Sequence, residues 1–546
     1  MNTIHLEYYY EIHPPPPACK QLIHKIVSFL VKPITCQPAF FLLCFVLINL
    51  LDLFADGGFP LLGPFLKITF GFFVCYLLLM PVVIFPTAII KVYKLFVLFI
   101  AIVLFVVDLF LLIVYSETFS TLHVDMLAAF VATNASEASE YLKTYLTFGR
   151  GFVICLSIFL LMLGAYYLRK LKLKVNLLGE CVIFVILLVS VCVSVVEYKK
   201  LLLGNFYFLS QTESPNLIEY RQNPSVVASD DNPEYVVLLV GESFAKTHSS
   251  LYGYDKKTNP LLEQLVADSL LFVCKDATSA CTKTIPAIKS IMTSHIAEMN
   301  DSVDWYKCLT LIEVMQSIDY RTVWISNHSR VGLFDNVGGC YAALCDESVF
   351  ANECNLATAY DDVLLPLIEG TMNNDSSRHS FYVINLMGSH MHYRTRYPEE
   401  FAKFKSEDYF VSYSHLSQVN RQTMAEYDNS ILYNDSVVYE ILKRFESKDA
   451  VVVYISDHGQ DIFNSSNNYA GHAINGNAVS ETVSIQIPLM VYTSQLFCKK
   501  HPELQKRIEN AVNRPYRTDS IMYTIMDVAG VETVNGISYK HKSLFK

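Results

Sequence analysis

The sequence predicts two parts of different class: an α-helical membrane bundle of five spans over residues 1–200, and an α/β domain with a mostly parallel sheet flanked by helices over 233–546. A polar linker at 201–232 joins them. Three observations carry that prediction. Five long stretches before residue 200 hold at most one charge each. Residues 1–205 carry 14 Lys/Arg against 11 Asp/Glu, whereas 206–546 carry 28 against 41, so a near-neutral apolar half precedes an acidic polar one. Four short apolar runs in the second half each end in a cluster of polar, chemistry-bearing residues. With 52% hydrophobic and 17% charged residues in 546, the chain is neither disordered nor a coiled coil. The acidic second half excludes nucleic acid, whose phosphates need a basic surface.

The five stretches are Pro33–Leu51, Ile68–Ile90, Leu95–Ser116 (with Asp108), Gly151–Leu168 and Cys181–Val196. A bilayer core roughly 30 Å thick needs about 20 helical residues, so each is long enough to cross. Lys20, Lys25, Lys32, Lys91, Lys94, Arg169, Lys170, Lys172 and Lys174 fall in loops of one side, which marks that side as cytoplasmic. The N-terminus is then inside, and an odd number of spans puts residues 233–546 outside. The first stretch starts well inside the chain without a small-residue cleavage pattern and reads as an anchor. The outer loop at about 117–149 is too long for a turn, and Met126, Leu127, Phe130, Val131, Tyr141, Leu142 and Tyr145 recur at helical spacing. Two short amphipathic helices lying on the membrane are expected there.

In the second half, Glu234–Val240, Arg321–Ile325, Phe381–Leu386 and Ala450–Ile455 are apolar without alternation. Such runs suit strands buried on both faces of a parallel sheet. They lead into Gly241-Glu242-Ser243, Ser326-Asn327-His328, Gly388-Ser389-His390 and Ser456-Asp457-His458-Gly459. Parallel sheets bind ligands beyond the carboxyl ends of their strands, so residues far apart in sequence meet at one rim. Glu242, Ser243, Asp457 and His458 offer the oxygen and nitrogen donors that suit Zn²⁺. A metal-bound hydroxyl is an activated nucleophile, which gives Ser243 that role, and His390 and His472 are placed to meet a phosphate or move protons. The Gly-x-Ser-x-Gly nucleophile elbow is absent. Seven of the 14 cysteines lie in the second half, where an oxidising compartment favours bridges such as Cys274–Cys281, or one among Cys340, Cys345 and Cys354. The pairing is open, and the odd number leaves a thiol over.

The run Gly241-Glu-Ser-Phe-Ala-Lys-Thr-His-Ser-Ser-Leu-Tyr-Gly-Tyr254 with Thr258-Asn-Pro260, together with Ser456-Asp-His-Gly459, Gly388-Ser-His390, Gly471-His472 and Ile487–Tyr492, resembles the phosphoethanolamine transferases of the alkaline-phosphatase/sulfatase superfamily. These modify lipid A or the lipopolysaccharide core. Thr133–Leu142 is similar to that family's periplasmic bridging helix. The resemblance implies a sulfatase-like domain in the periplasm and an anchor in the bacterial inner membrane. It implies one zinc, with a second left open, held by Glu242, Ser243, Asp457 and His458. Ser243 would carry the covalent phosphoethanolamine. His390 and His472 would contact the transferred group, Thr133 and Glu137 would reach in from the bridging helix, and Asn327 would join the substrate site. The donor would be phosphatidylethanolamine, and the acceptor lipid A or another lipopolysaccharide or glycan. Other functions stay open at this point: a hydrolase or glycerophosphate transferase on the same scaffold, or a non-catalytic membrane sensor. The Cys/Ser-x-Pro-x-Arg pattern of formylglycine sulfatases does not follow Ser243.

Overall fold

A computed structural model of the chain describes residues 18–51, 62–114, 146, 148–168, 175–193, 222–294, 307–329, 336–352, 359–373, 375–473 and 477–546. Thr133, Glu137 and nearly all of the expected surface helices at 117–149 lie outside these residues, as does most of the linker at 201–232. The described residues divide into two compact units, one helical and one α/β.

The helical unit contains α1 (Ala18–Thr35), α2 (Pro38–Asn49), α3 (Leu62–Ile84), α4 (Thr87–Val114), α5 (Phe148–Leu168) and α6 (Leu177–Val193). Leu47 of α2, Cys75 and Leu79 of α3, and Val97, Ala101 and Phe105 of α4 pack into one core at helical spacing. The opposite faces stay apolar and uncovered, with Leu95 and Phe99 of α4 each 64% exposed. Ile89–Phe110 is the one continuous helix, among the described residues, with the length and apolarity of a span. The expected span at Pro33–Leu51 differs: α1 and α2 meet at a 64° bend, because the chain breaks at Cys36-Gln37 and Pro38 starts a new helix. Ile68–Ile84, Phe148–Gly164 and Leu177–Val193 are further apolar segments, and the helices α3 and α5 that contain the first two run to 23 and 21 residues, near the bilayer estimate of about 20.

The α/β unit is built on a seven-stranded sheet: β1 (Tyr235–Gly241), β2 (Leu271–Cys274), β3 (Tyr320–Ser329), β4 (Glu347–Asn352), β5 (His379–Asn385), β6 (Ala450–Ser456) and β7 (Leu489–Thr493). Their spatial order is β2-β7-β6-β1-β5-β3-β4. All four apolar runs read from the sequence are strands here, and β1, β3, β4, β5 and β6 run parallel. β7 is reversed and pairs antiparallel with both β6 and β2, so the sheet is mixed. The unbroken apolarity has a geometric cause. Side chains of a strand alternate between faces, and here both faces are covered. Val236, Leu238 and Val240 enter one core with Val451 and Val453, while Val237 and Leu239 enter the other with Val452 and Tyr454. Each such burial contributes about 1.5–3 kcal/mol. On the first face lies α8 (Thr284–Met292); on the second lie α7 (Pro260–Ala267) and the long α9 (Gln418–Arg444). Cys274 is a buried free thiol, pushed up to about 12 by burial, so the Cys274–Cys281 bridge is not formed.

Candidate metal centre

The site forms where parallel strands end together. β1 and β6 are neighbours in register, with Gly241 beside Ser456, so the next residues, Glu242 and Asp457, emerge side by side. The Asp457 amide donates to the Gly241 carbonyl at 3.0 Å, continuing the ladder one step beyond the strand. On the other side of β1, Val240 pairs with Asn385 of β5, which delivers the loop from Leu386 to His390. That loop lies on Glu242: Ser389 N donates to Glu242 O at 3.0 Å. Gly388, at φ +54°, approaches so closely that a Cβ there would sit 2.7 Å from the Glu242 carbonyl. Only glycine satisfies both conditions.

Four expected residues are in contact. The Ser243 hydroxyl donates to Glu242 Oε1 at 2.7 Å, and Asp457 Oδ1 accepts both Ser243 N (3.1 Å) and His458 N (2.7 Å). His458 Nε2 lies 3.3 Å from Glu242 Oε1 and 3.5 Å from Asp457 Oδ2, while its Nδ1 meets the Gly459 carbonyl at 2.6 Å. The Nδ1–H then faces that carbonyl, so Nε2 is the atom turned toward the two carboxylates, where it hydrogen-bonds Glu242 as Nε2–H and would give its lone pair to a bound cation. His472 arrives on the short antiparallel pair Asp461–Ile462 and Ala470–Gly471, its ring 4.9 Å from that of His458. His390 is 6.5 Å from His472 by ring centroid. Ligand atoms of Glu242, His458 and His472 all fall within 4.8 Å of one another.

Asn327 is placed differently. It is fully buried and its amide donates to Ala359 O (2.9 Å) and Asp361 Oδ1 (2.8 Å). Asp361 in turn accepts the Met387 and Gly388 amides, both at 2.8 Å. Asn327 therefore braces, through Asp361, the loop that carries His390. Asp361 was not legible in advance, since no apolar run leads directly into it.

A second hydroxyl, missed by sequence reasoning, joins the cluster. Thr284 Oγ1 lies 3.3 and 3.2 Å from the two Glu242 oxygens and 3.3 Å from His458 Nε2. It is the first residue of α8, and the preceding segment is tied in because Ser279 Oγ donates to Asp457 O. The available signal was Pro286, which marks a helix start, and helix N-termini attract anions. The two hydroxyls differ in access. Ser243 is fully buried at φ +57°, a conformation costing about 1–3 kcal/mol in a non-glycine residue, whereas Thr284 is partly exposed.

The electrostatics describe a cation site. Burial would raise Glu242, but its hydrogen bond to His458 and the imidazoles of His458, His390 and His328 hold it well below the usual carboxylate range. Burial and then the Glu242 charge push Asp457 up to about 8, because two buried carboxylates side by side resist ionising together. Burial opposes charge on His458, yet Asp457 and Glu242 bring it up to about 9. His390 and His472, desolvated by burial, are pushed down to about 4 and about 3 and stay neutral. Asp457 Oδ2 and His472 Nε2 are buried without a hydrogen-bond partner, a cost of about 1–3 kcal/mol each. A divalent cation accepting their lone pairs would remove both costs. The donor set of two carboxylates and two imidazoles fits Zn²⁺.

Comparison with known proteins agrees with this construction. A family model described as Sulfatase matches residues 234–531. The phosphoethanolamine transferase EptC of Escherichia coli (strain K12) is 28% identical over 309 residues, covering 56% of this chain and 52% of that protein. The chain thus spans about half the length of the curated relatives it matches. The resemblance read from the motifs is borne out, since the relatives carry that family's name. Among solved structures, the C-terminal periplasmic domain of EcEptC from Escherichia coli in complex with Zn superposes with a TM-score of 0.51 at 24% identity, over 59% of this chain and 89% of that one. The integral membrane protein lipooligosaccharide phosphoethanolamine transferase A (EptA) from Neisseria meningitidis gives 0.63 at 18% identity, over 93% and 97%. At these identities the structural likenesses speak to fold.

Proposed function

The chain belongs to the sulfatase family, and on that premise we propose that it is a zinc-dependent phosphoethanolamine transferase held in the bacterial inner membrane, with its α/β domain in the periplasm. Phosphatidylethanolamine would be the donor, and lipid A or another lipopolysaccharide glycan the acceptor. The observation that carries the reading is the contact of Thr284 Oγ1 with both Glu242 and His458 at the rim of the sheet. A pure binding protein has no use for a partly exposed hydroxyl against metal-ligating groups.

Glu242, Asp457 and His458 would hold the zinc, with His472 in reach as a fourth ligand and the Ser243 hydroxyl bracing Glu242. When bound, the metal lowers the pKa of an adjacent hydroxyl and polarises a phosphoryl oxygen. We assign the nucleophile to Thr284 in place of Ser243, because a hydroxyl with no exposed surface cannot reach a substrate phosphorus. Thr284 Oγ attacks the phosphorus of the donor diester, the bond from phosphorus to the diacylglycerol oxygen breaks, and the threonine proton leaves on diacylglycerol. An acceptor oxygen then attacks the phosphothreonine, and its proton returns to Thr284 Oγ. His390 and His472, neutral at physiological pH, donate hydrogen bonds to the group in transit. The five spans, the cytoplasmic N-terminus, the domain limits 1–200 and 233–546 and the roles of Thr133 and Glu137 belong to the same proposal. The exposed apolar faces of α4 and α5 support membrane burial.

The deciding experiment is mass spectrometry of the purified chain after incubation with phosphatidylethanolamine. A phosphoethanolamine adduct on the peptide containing Thr284, removed by added acceptor, is the expected result. Release of free phosphoethanolamine with no adduct and no acceptor product would favour the hydrolase instead.

A further inference from the structure

The loop that carries Glu242 and Ser243 is held from outside the site by a residue no motif assigns. Tyr427 lies fully buried on α9, and its phenol oxygen bridges two backbone groups of the bend after β1: it donates to Ser243 O at 2.7 Å and accepts from Ala245 N at 2.8 Å. Ser243 stands between that bridge and Asp457, to which its own amide donates at 3.1 Å. The left-handed bend, φ +57°, is thus clamped on both sides. The Tyr427 ring is itself fixed edge-on against Tyr393 (4.9 Å) and His248 (5.1 Å). The same turn of α9 continues the work. Asp428 binds His248 Nδ1 and Tyr254 Oη, each at 2.7 Å, along with Tyr409 Oη, while Ser430 reaches Ser389, next to His390, at 3.0 Å.

We propose that Tyr427 is a positioning residue for the metal centre: its hydroxyl sets the Ser243–Ala245 backbone, and through it the spacing of Glu242 and Asp457. This rests on the zinc site proposed above. Burial keeps the phenol protonated, so the donor to Ser243 O is always present.

The test compares the full chain in detergent with Tyr427→Phe and Tyr409→Phe. Both variants delete a buried hydroxyl beside α9 and retain the ring, but only the first touches the Ser243 bend. In Tyr427→Phe, zinc affinity measured by chelator competition falls about tenfold or more, as for other groups that orient metal ligands. Hydrogen exchange at the Ala245 amide quickens, and kcat for transfer falls with little change in KM. Tyr409→Phe leaves zinc affinity and Ala245 exchange at wild-type values. Unchanged zinc affinity and Ala245 exchange in Tyr427→Phe would overturn the inference, and so would an equal fall in both variants, which would mean general loosening. A wild-type chain that takes up no zinc would bring down the proposed function along with it, whereas indifference of Tyr427→Phe alone would leave that function standing.

Discussion

Ser243 and Thr284 place two hydroxyls on the same carboxylate, and their surroundings assign them different work. Ser243 is locked in the bend, and its loss as Ser243→Ala removes one hydrogen bond to Glu242, a net effect of about 1 kcal/mol or a few-fold in rate. Thr284→Ala removes the proposed attacking atom, so transfer should drop to background and the covalent adduct should vanish, while Thr284→Ser should retain both. Lipid transfer assays on the three variants check this, and a dead Ser243→Ala beside an active Thr284→Ala would reverse the assignment. Glu242, Ser243, Asp457 and His458 were legible because each directly follows an apolar strand, and strand ends converge. Thr284 was not, because it begins a helix and meets the rim only through the fold of the 279–284 segment. Asn327 follows the apolar run Arg321–Ile325 by the same rule, yet β3 continues through it and Asp361 accepts from its amide.

Between elements, long-range caps hold the loops around the site. Asn259, before α7, makes no side-chain cap; Asp435 of α9 takes the place, accepting Leu261 N at 2.9 Å and Leu262 N at 3.0 Å. Burial pushes Asp435 up to about 7 despite those two amides. A carboxyl raised in the fold from about 3.9 unfolded contributes its stability below pH ~4 and loses it as pH rises through ~7. The thermal stability of the wild type relative to Asp435→Asn, which does not titrate, should therefore decline between pH 4 and pH 8; a flat difference would show that Asp435 is not raised. Gly388→Ala tests a different loop: with φ +54° and a Cβ 2.7 Å from Glu242 O, it should destabilise the chain by more than about 1 kcal/mol and weaken zinc binding, read by denaturant unfolding and chelator competition. At this scale the sequence revealed strands better than their direction. Apolarity reports burial on two faces, which β7 shares with its parallel neighbours, so nothing in Ile487–Tyr492 betrayed its reversal. The break at Cys36-Gln37 was hidden for a similar reason, since hydropathy is blind to a bend while Pro38 is not.

For the whole molecule, the proposal gives the helical unit a purpose that its composition alone does not. Donor and acceptor lipids are confined to a surface, and anchoring an enzyme to that surface raises the local substrate concentration to about the millimolar range. The rate of the full chain should then follow the mole fraction of phosphatidylethanolamine in the bilayer. Diluting that lipid with phosphatidylcholine at constant total donor should slow the reconstituted full chain in proportion. A fragment of residues 222–546 should turn over a short-chain soluble donor but lose more than about tenfold on vesicles. Zinc removal by chelation should silence both proteins and zinc should restore both, because the core on each face of the sheet is apolar and closes without the metal. A fragment as fast on vesicles as the full chain would mean that the apolar helices do not present the site to its lipids, and the transferase reading would have to pass to a soluble donor.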